Sequence, residues 1–301
     1  MQQSASRVEV APPSIRILMP DERLQPFATF YYFVTVAGEL EDFLYPEWGN
    51  VRFTLGGRWW VEERRVRAPM PLAAALFGPT DRAMKVVAQD GVTAGFGLTP
   101  LGWQRLFDQP AHALANQRVD LGDRLGPSDN ELLASLTGCS DEQSAALFDR
   151  LLFDRLTERP PNSAEAIAVD RALRMLPCDV GAFAAAAGTD PRQLGRVCKA
   201  VFGFGPKRLL RRQRFLDTLG RMRVTEDFRF ADVRGDDYHD QSHFNHEFHE
   251  FMGLSPRKYL SVPRPLMGQA ALVQLQMGIP LTFVLPPPPD EDGVDPSARP
   301  A

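Results

Sequence analysis

Two Gly-x-x-Pro stops, Gly203-Phe204-Gly205-Pro206 and Gly253-Leu254-Ser255-Pro256, cut the last third of this 301-residue chain into short segments. Glycine ends a helix without a Cβ penalty, and proline suits the first turn of the next one, where an N–H would be unbonded anyway. Before the first stop, Leu194, Val197, Cys198 and Val201 recur at helical spacing. Before the second, Phe244, Phe248 and Phe251 do the same. Each stop therefore closes a short helix with one apolar stripe to bury, and this region reads as a set of short packed helices.

Upstream of the first stop, Asp179 is placed to cap a helix over Val180–Ala187, and Gly188 ends it. Thr189 then stands at the expected N-cap before Pro191, which opens a second helix to about Phe202. Helix, short Gly-containing turn, helix is the helix-turn-helix arrangement. The outward positions of the second helix are Arg192, Gln193, Arg196 and Lys199; Arg and Gln are side chains that read guanine and adenine edges. A helical hairpin with a basic rim has the same pattern, so this unit alone leaves both readings open. Pro206 opens a further helix to roughly Arg223, ~27 Å long at the α-helical rise. Its first half is basic and its apolar residues are Leu209, Leu210, Phe215, Leu216 and Leu219.

The net charge of −4 hides an uneven distribution. Residues 165–262 hold 16 Lys+Arg against 13 Asp+Glu, leaving 18 against 25 elsewhere. Pro191–Leu216 contains eight basic residues (Arg192, Arg196, Lys199, Lys207, Arg208, Arg211, Arg212, Arg214) and no acidic one. A solvated helix face is the ordinary use of a charge run; an acid-free run tilts the reading toward an anionic partner, because phosphate contacts are local.

The first half reads as β. Phe27–Val36 is dense in aromatic and β-branched residues, and Val51–Leu55 leads into Gly56-Gly57, a hairpin-type turn before Arg58–Val66. Leu72–Phe77, Met84–Ala88 and Ala94–Leu98 continue the pattern. Short strands at such spacing predict an antiparallel barrel or sandwich. Helices follow over Leu101–Phe107, Asn130–Leu136 and Glu142–Leu156, and the two prolines at 160 and 161 mark the domain boundary. The expected organisation is an N-terminal arm (1–26), a β-rich domain with a helical tail (27–158), an all-α domain (163–262), an extension (263–285) and an acidic, Pro-rich disordered tail (286–301).

Residues Asp179–Leu260 resemble the C-terminal DNA-binding domain of the AraC/XylS family of transcription regulators. The resemblance is carried by Ala184, Gly188, Leu194, Arg196, the Gly203–Pro206 stop, the FGPKRLLRRQRFLDTL helix from Phe204 and DQSHFNHEFHEFMGLSPRKYL from Asp240. It implies two helix-turn-helix units joined by a long helix, each placing a recognition helix in one of two successive major grooves ~34 Å apart. Base contacts are then expected from Arg192, Gln193, Arg196, Gln241, Ser242, Asn245 and His246. Phosphate contacts are expected from Thr189, Lys199, Lys207, Arg208, Arg211, Arg212 and His249. The implied partners are double-stranded DNA, RNA polymerase, a small-molecule effector or protein at the N-terminal domain, and a second copy of the chain. The supporting segment of the second unit, Ala231–Tyr238, departs from the family: Gly235 and three aspartates weaken it as a helix. The rival reading is accordingly a protein-interaction module, derived from such a regulator, with impaired specific DNA binding.

Other signals exclude more than they assign. His239, His243, His246 and His249 lie close in sequence, but no Cys partner is near, and no metal or other cofactor is expected. The N-terminal domain weakly resembles cupin-like sensor domains through Tyr45-Pro46-Glu47 and Gly97-Leu98-Thr99-Pro100. Its single histidine, His112, cannot supply a cupin enzyme's metal site, and no nucleophile or phosphate-loop motif appears, so no enzyme is expected. Phe30, Tyr31, Tyr32, Phe33, Trp48, Trp59 and Trp60 could line a pocket, though core packing is the commoner use. Met1–Ala11 lacks an apolar run behind a basic start, and Leu266–Leu285 is too broken by Gly, Gln and Pro to span a membrane. The three cysteines are scattered, and a cytoplasmic protein is expected.

Overall fold

A computed structural model describes residues 12–63, 66–69, 73–224, 238 and 240–277. Eight antiparallel strands form one sheet in the first half: β1 (Ser14–Leu18), β2 (Ala28–Thr35), β3 (Glu39–Leu44), β4 (Asn50–Glu63), β5 (Val66–Pro69), β6 (Ala74–Phe77), β7 (Met84–Leu98) and β8 (Arg118–Asp120). The order is β1-β2-β7-β4-β6-β8, with β3 added to the first half of β7 and β5 to the end of β4.

The long central strands correct two expectations. Gly56-Gly57 is not a hairpin turn, because β4 runs straight through it. Its register against β7 slips at Gly56 and again before Arg58. Gly57 has φ +66, and a Cβ there would lie 2.0 Å from the Asp90 carbonyl oxygen. Opposite it, Asp90 has φ +47 and joins Met84–Ala88 to Ala94–Leu98 in a single strand. Bulged residues facing each other bend the paired strands rather than reverse them, and glycine marks either outcome in a sequence. The segment read as an arm also contains β1, whose Ile15 and Ile17 are buried in alternation against the sheet.

The sheet closes over α3 (Asp141–Glu158), which starts with a capping box made by Ser140 and Gln143. Its Phe148 is fully buried, stacked on Phe33 and Phe53 at 6.4 and 5.7 Å and edge-on to Tyr31 and Phe96 at 5.3 and 5.2 Å. Tyr31 and Phe33 are thus core residues. Burying one Phe side chain contributes ~1.5–3 kcal/mol. Helices α1 (Pro100–Leu106) and α2 (Asp129–Leu136) complete this layer.

The second half is helical: α4 (Ala164–Arg174), α5 (Val180–Ala186), α6 (Pro191–Val197, continued by one π turn over Cys198–Phe202), α7 (Pro206–Val224), α8 (Gln241–Met252), α9 (Pro256–Ser261) and α10 (Pro265–Gln276). None of the described helices is long and apolar enough to cross a membrane. The tail expected to be disordered lies outside the described residues.

Candidate nucleic-acid interface

The first unit is built as the sequence reads, apart from one cap. Asp179 accepts from Ala182 N at 2.8 Å to start α5, and Gly188 ends it at φ +61. The cap of α6 is Asp190 rather than Thr189; its Oδ1 accepts from Arg192 N at 2.8 Å and Gln193 N at 3.0 Å. Pro191 occupies the first turn, so the residue before it takes the cap, while Thr189 N is spent on the Ala184 carbonyl. Leu194, Cys198 and Val201 bury against Phe183 and Ala184. Burial pushes the Cys198 thiol up to about 12, so it is a small apolar core residue. Arg192, Arg196 and Lys199 are left exposed, Gln193 and Thr189 half-buried.

The second unit follows the same logic. Asp240 caps α8 by accepting from His243 N at 2.8 Å. Phe244, Phe248 and Phe251 face inward, the last two packing on Phe215 of α7 at 5.4 and 4.8 Å. Gln241, Ser242, Asn245, His246 and His249 are exposed. The degenerate supporting segment lies outside the described residues up to Asp237; Tyr238 is buried, edge-on to Phe244 at 5.2 Å. Gly253 closes α8 at φ +70, and Ser255 caps α9, leaving Arg257 and Lys258 exposed. The sequence reading passed over these two cations, though they follow directly on the Ser255-Pro256 helix start.

The basic half of α7 is the main correction. Arg212, expected on phosphate, is fully buried. Its Nε donates to the Thr80 carbonyl at 2.9 Å and its guanidinium lies 4.0 Å over the Trp48 ring, both in the β-domain. Burial pushes it down to about 9, against the pull of Asp81 and Glu47. Arg208 pairs with Asp81 at 2.7 Å and with Glu250 of α8. Arg211 pairs with Glu247 at 2.8 Å and with Glu250, and Arg214 reaches Glu247 at 3.2 Å. The run lacks acids in sequence, but Asp81, Glu247 and Glu250 arrive from other elements. Only Lys207 remains exposed among the four linker-helix cations assigned to phosphate. Trp48, a pocket candidate, instead packs edge-on to Phe202 at 5.7 Å between the two halves.

Residues 183–261 match the family model described as "Helix-turn-helix domain", the AraC-type domain. The chain carries an AraC-type helix-turn-helix domain. The domain comprises most of α5, all of α6 to α8, and α9, so the exposed faces of α6 and α8 both lie within it. No curated protein matches the chain. Solved structures with a similar overall course include ToxT from Vibrio cholerae, at 10% identity and TM-score 0.44, covering 83% of this chain and 98% of that one. ToxT from Vibrio cholerae O395 gives 11% identity and TM-score 0.42, with 74% and 97% covered. The AraC-like transcriptional activator CuxR gives 13% and TM-score 0.29, with 67% and 86% covered. Likenesses this distant assign no residue role in the present chain.

Proposed function

We propose that the protein is a non-enzymatic transcription regulator that lays α6 and α8 of its helix-turn-helix domain into successive major grooves of duplex DNA. The observation that carries this reading is the pair of capped helices. Each buries one stripe and turns outward a row of side chains of types able to bond base edges: Arg192, Gln193 and Arg196 on α6, and Gln241, Ser242, Asn245 and His246 on α8. Between them runs α7, whose 19 residues give ~28 Å of rise, which with flanking turns suits a ~34 Å groove repeat. Thr189, Lys199, Lys207 and His249 serve phosphates, joined by Arg257 and Lys258. Arg208, Arg211 and Arg212 do not.

The β-domain is read as the modulating half, since α7 is fastened to it through Arg208 and Arg212. A small effector or protein acting there, a second copy of the chain and RNA polymerase are the partners this reading entails. A protein-interaction module is favoured by one observation, the withdrawal of three linker-helix cations. Selection from a random duplex library with the full chain separates the two. Enrichment of a motif with two half-sites about one helical turn apart is expected; recovery of unenriched sequence would leave the interaction module standing.

A further inference from the structure

The C-terminal helix α10 lies beyond the matched domain, yet its first turn is built into the β-domain. Arg264, at its N-cap position, makes no side-chain cap. The cap comes from Asp42 of β3, 224 residues away, whose Oδ2 accepts from Leu266 N and Met267 N, each at 2.8 Å. Asp42 is 1% exposed, and its Oδ1 accepts from Phe43 N at 2.7 Å. Leu266 is buried in the sheet's own cluster with Ile15, Ile17, Tyr32 and Val34. A buried carboxylate used as a remote helix cap ties two elements together, because undocking either one strands a charge or the backbone N–H groups.

The neighbouring contacts extend this attachment to the second recognition unit. Tyr45 after β3 and Tyr259 of α9 share a hydroxyl hydrogen bond of 2.7 Å. Arg223, near the end of α7, lies 5.1 Å over the Tyr45 ring and donates to the Met267 carbonyl at 3.1 Å. Arg264 donates to the Tyr259 carbonyl at 2.7 Å. Ala83 N of the β-domain donates to the Phe251 carbonyl at the end of α8 at 2.6 Å. Only Val262, Pro263 and Arg264 separate α9 from α10, so Ser261 and Pro265 are four residue steps apart, at most ~14 Å. While α10 is docked, the C-terminal end of α9 stays within that distance of the first turn of α10, and the Ala83–Phe251 hydrogen bond holds the end of α8 to the β-domain directly.

We infer that α10, with Asp42 and Leu266, is an intramolecular clasp that positions the second recognition helix from the β-domain. The clasp fixes α8 in a set place before DNA arrives, and such preorganisation raises affinity by lowering the ordering cost of binding. Asp42 and Leu266 are positioning residues, acting through α9 and α10 and not on DNA. The inference rests on the DNA-binding reading only for its consequence, since the mechanical coupling is a property of the free protein.

The test is hydrogen exchange on the full chain without DNA, followed by footprinting on a selected duplex. In Leu266→Asp, amides over 265–276 and 241–261 are expected to exchange at least ~10-fold faster together, with β2 and β7 amides unchanged. The footprint of the second half-site is expected to fade while the first persists. Leu272→Ser, on the 55% exposed outer position of α10, is expected to change neither. If 265–276 opens while 241–261 keeps its wild-type exchange, or if Leu272→Ser has the same effect as Leu266→Asp, the clasp is overturned. Should Leu266→Asp also open β2 and β7, a chain ending at Arg264 replaces it: faster exchange over 241–261 is expected, and wild-type exchange there overturns the clasp. A wild-type chain that binds no duplex would refute the DNA-binding reading, and the exchange data would still decide the coupling.

Discussion

The salt dependence of duplex binding follows from which cations the fold leaves free. The exposed cations assigned to phosphate are Lys199, Lys207, Arg257 and Lys258. If each neutralises one phosphate, the slope of log affinity against log salt is ~0.9 per contact, or about −3.6 for four. Adding Arg208, Arg211 and Arg212 would make seven contacts and a slope of about −6.3. Between about 50 and 200 mM salt these slopes correspond to losses of ~150-fold and ~6,000-fold, so the two cases separate easily. The assay is fluorescence anisotropy with a selected duplex, for the wild type, Lys207→Ala, Arg211→Ala and Arg212→Ala. Lys207→Ala should flatten the slope by ~0.9, whereas Arg211→Ala and Arg212→Ala should leave it unchanged and alter stability instead. A flattening of ~0.9 on removing Arg212 would refute the reasoning, because a fully buried guanidinium cannot release a counterion from DNA.

Three further outcomes are expected. Phe148→Ala should destabilise the β-domain by ~3–5 kcal/mol in denaturant titration, because its ring sits among four other aromatic rings; a loss under ~1 kcal/mol would mean that the sheet does not depend on this ring. Burial works against ionisation of Glu250, but the Arg211 and Arg208 hydrogen bonds outweigh it and hold its carboxyl below the ordinary glutamate range. A carboxyl lowered by folding contributes stability above the unfolded value and loses it as pH falls through the folded one. Thermal melts from about pH 6 to pH 3 should therefore show a shallower acid limb in Glu250→Gln than in the wild type. Among specificity mutants, Arg192→Ala and Arg196→Ala should relax base preference as well as affinity, each bidentate contact being worth ~1–3 kcal/mol. Gln241→Ala and Asn245→Ala, on the helix whose supporting segment Gly235 and three aspartates weaken, should relax base preference less and lower affinity more evenly across single-base variants. Equal relaxation by Asn245→Ala in its own half-site would show that the second unit reads bases fully.

The helical half was legible because its punctuation is chemical. Asp179, Gly188, Gly203, Gly253 and Ser255 each do locally what their residue type does in isolation. The inward residues Leu194, Cys198, Phe244, Phe248 and Phe251 followed from spacing alone. The sheet was legible as a class but not in its connections, since Gly56-Gly57 gives the same sequence signal for a hairpin as for a bulge. The surroundings of the linker-helix cations were not legible, because their partners arrive from far along the chain. Nothing near Arg208 or Arg212 in sequence announces Asp81, Thr80 or Trp48, more than a hundred residues away. Likewise α10 shows only a broken apolar run, and Asp42 gives no local sign of capping it.

The most direct test of the central claim is a hydroxyl-radical footprint of the full chain on a duplex it has selected. Two protected patches on one face, about 10–10.5 base pairs apart, are expected. Arg196→Ala should weaken one patch and Asn245→Ala the other. A single continuous patch insensitive to either substitution, or no protection at low salt, would contradict the assignment of α6 and α8 as paired recognition helices.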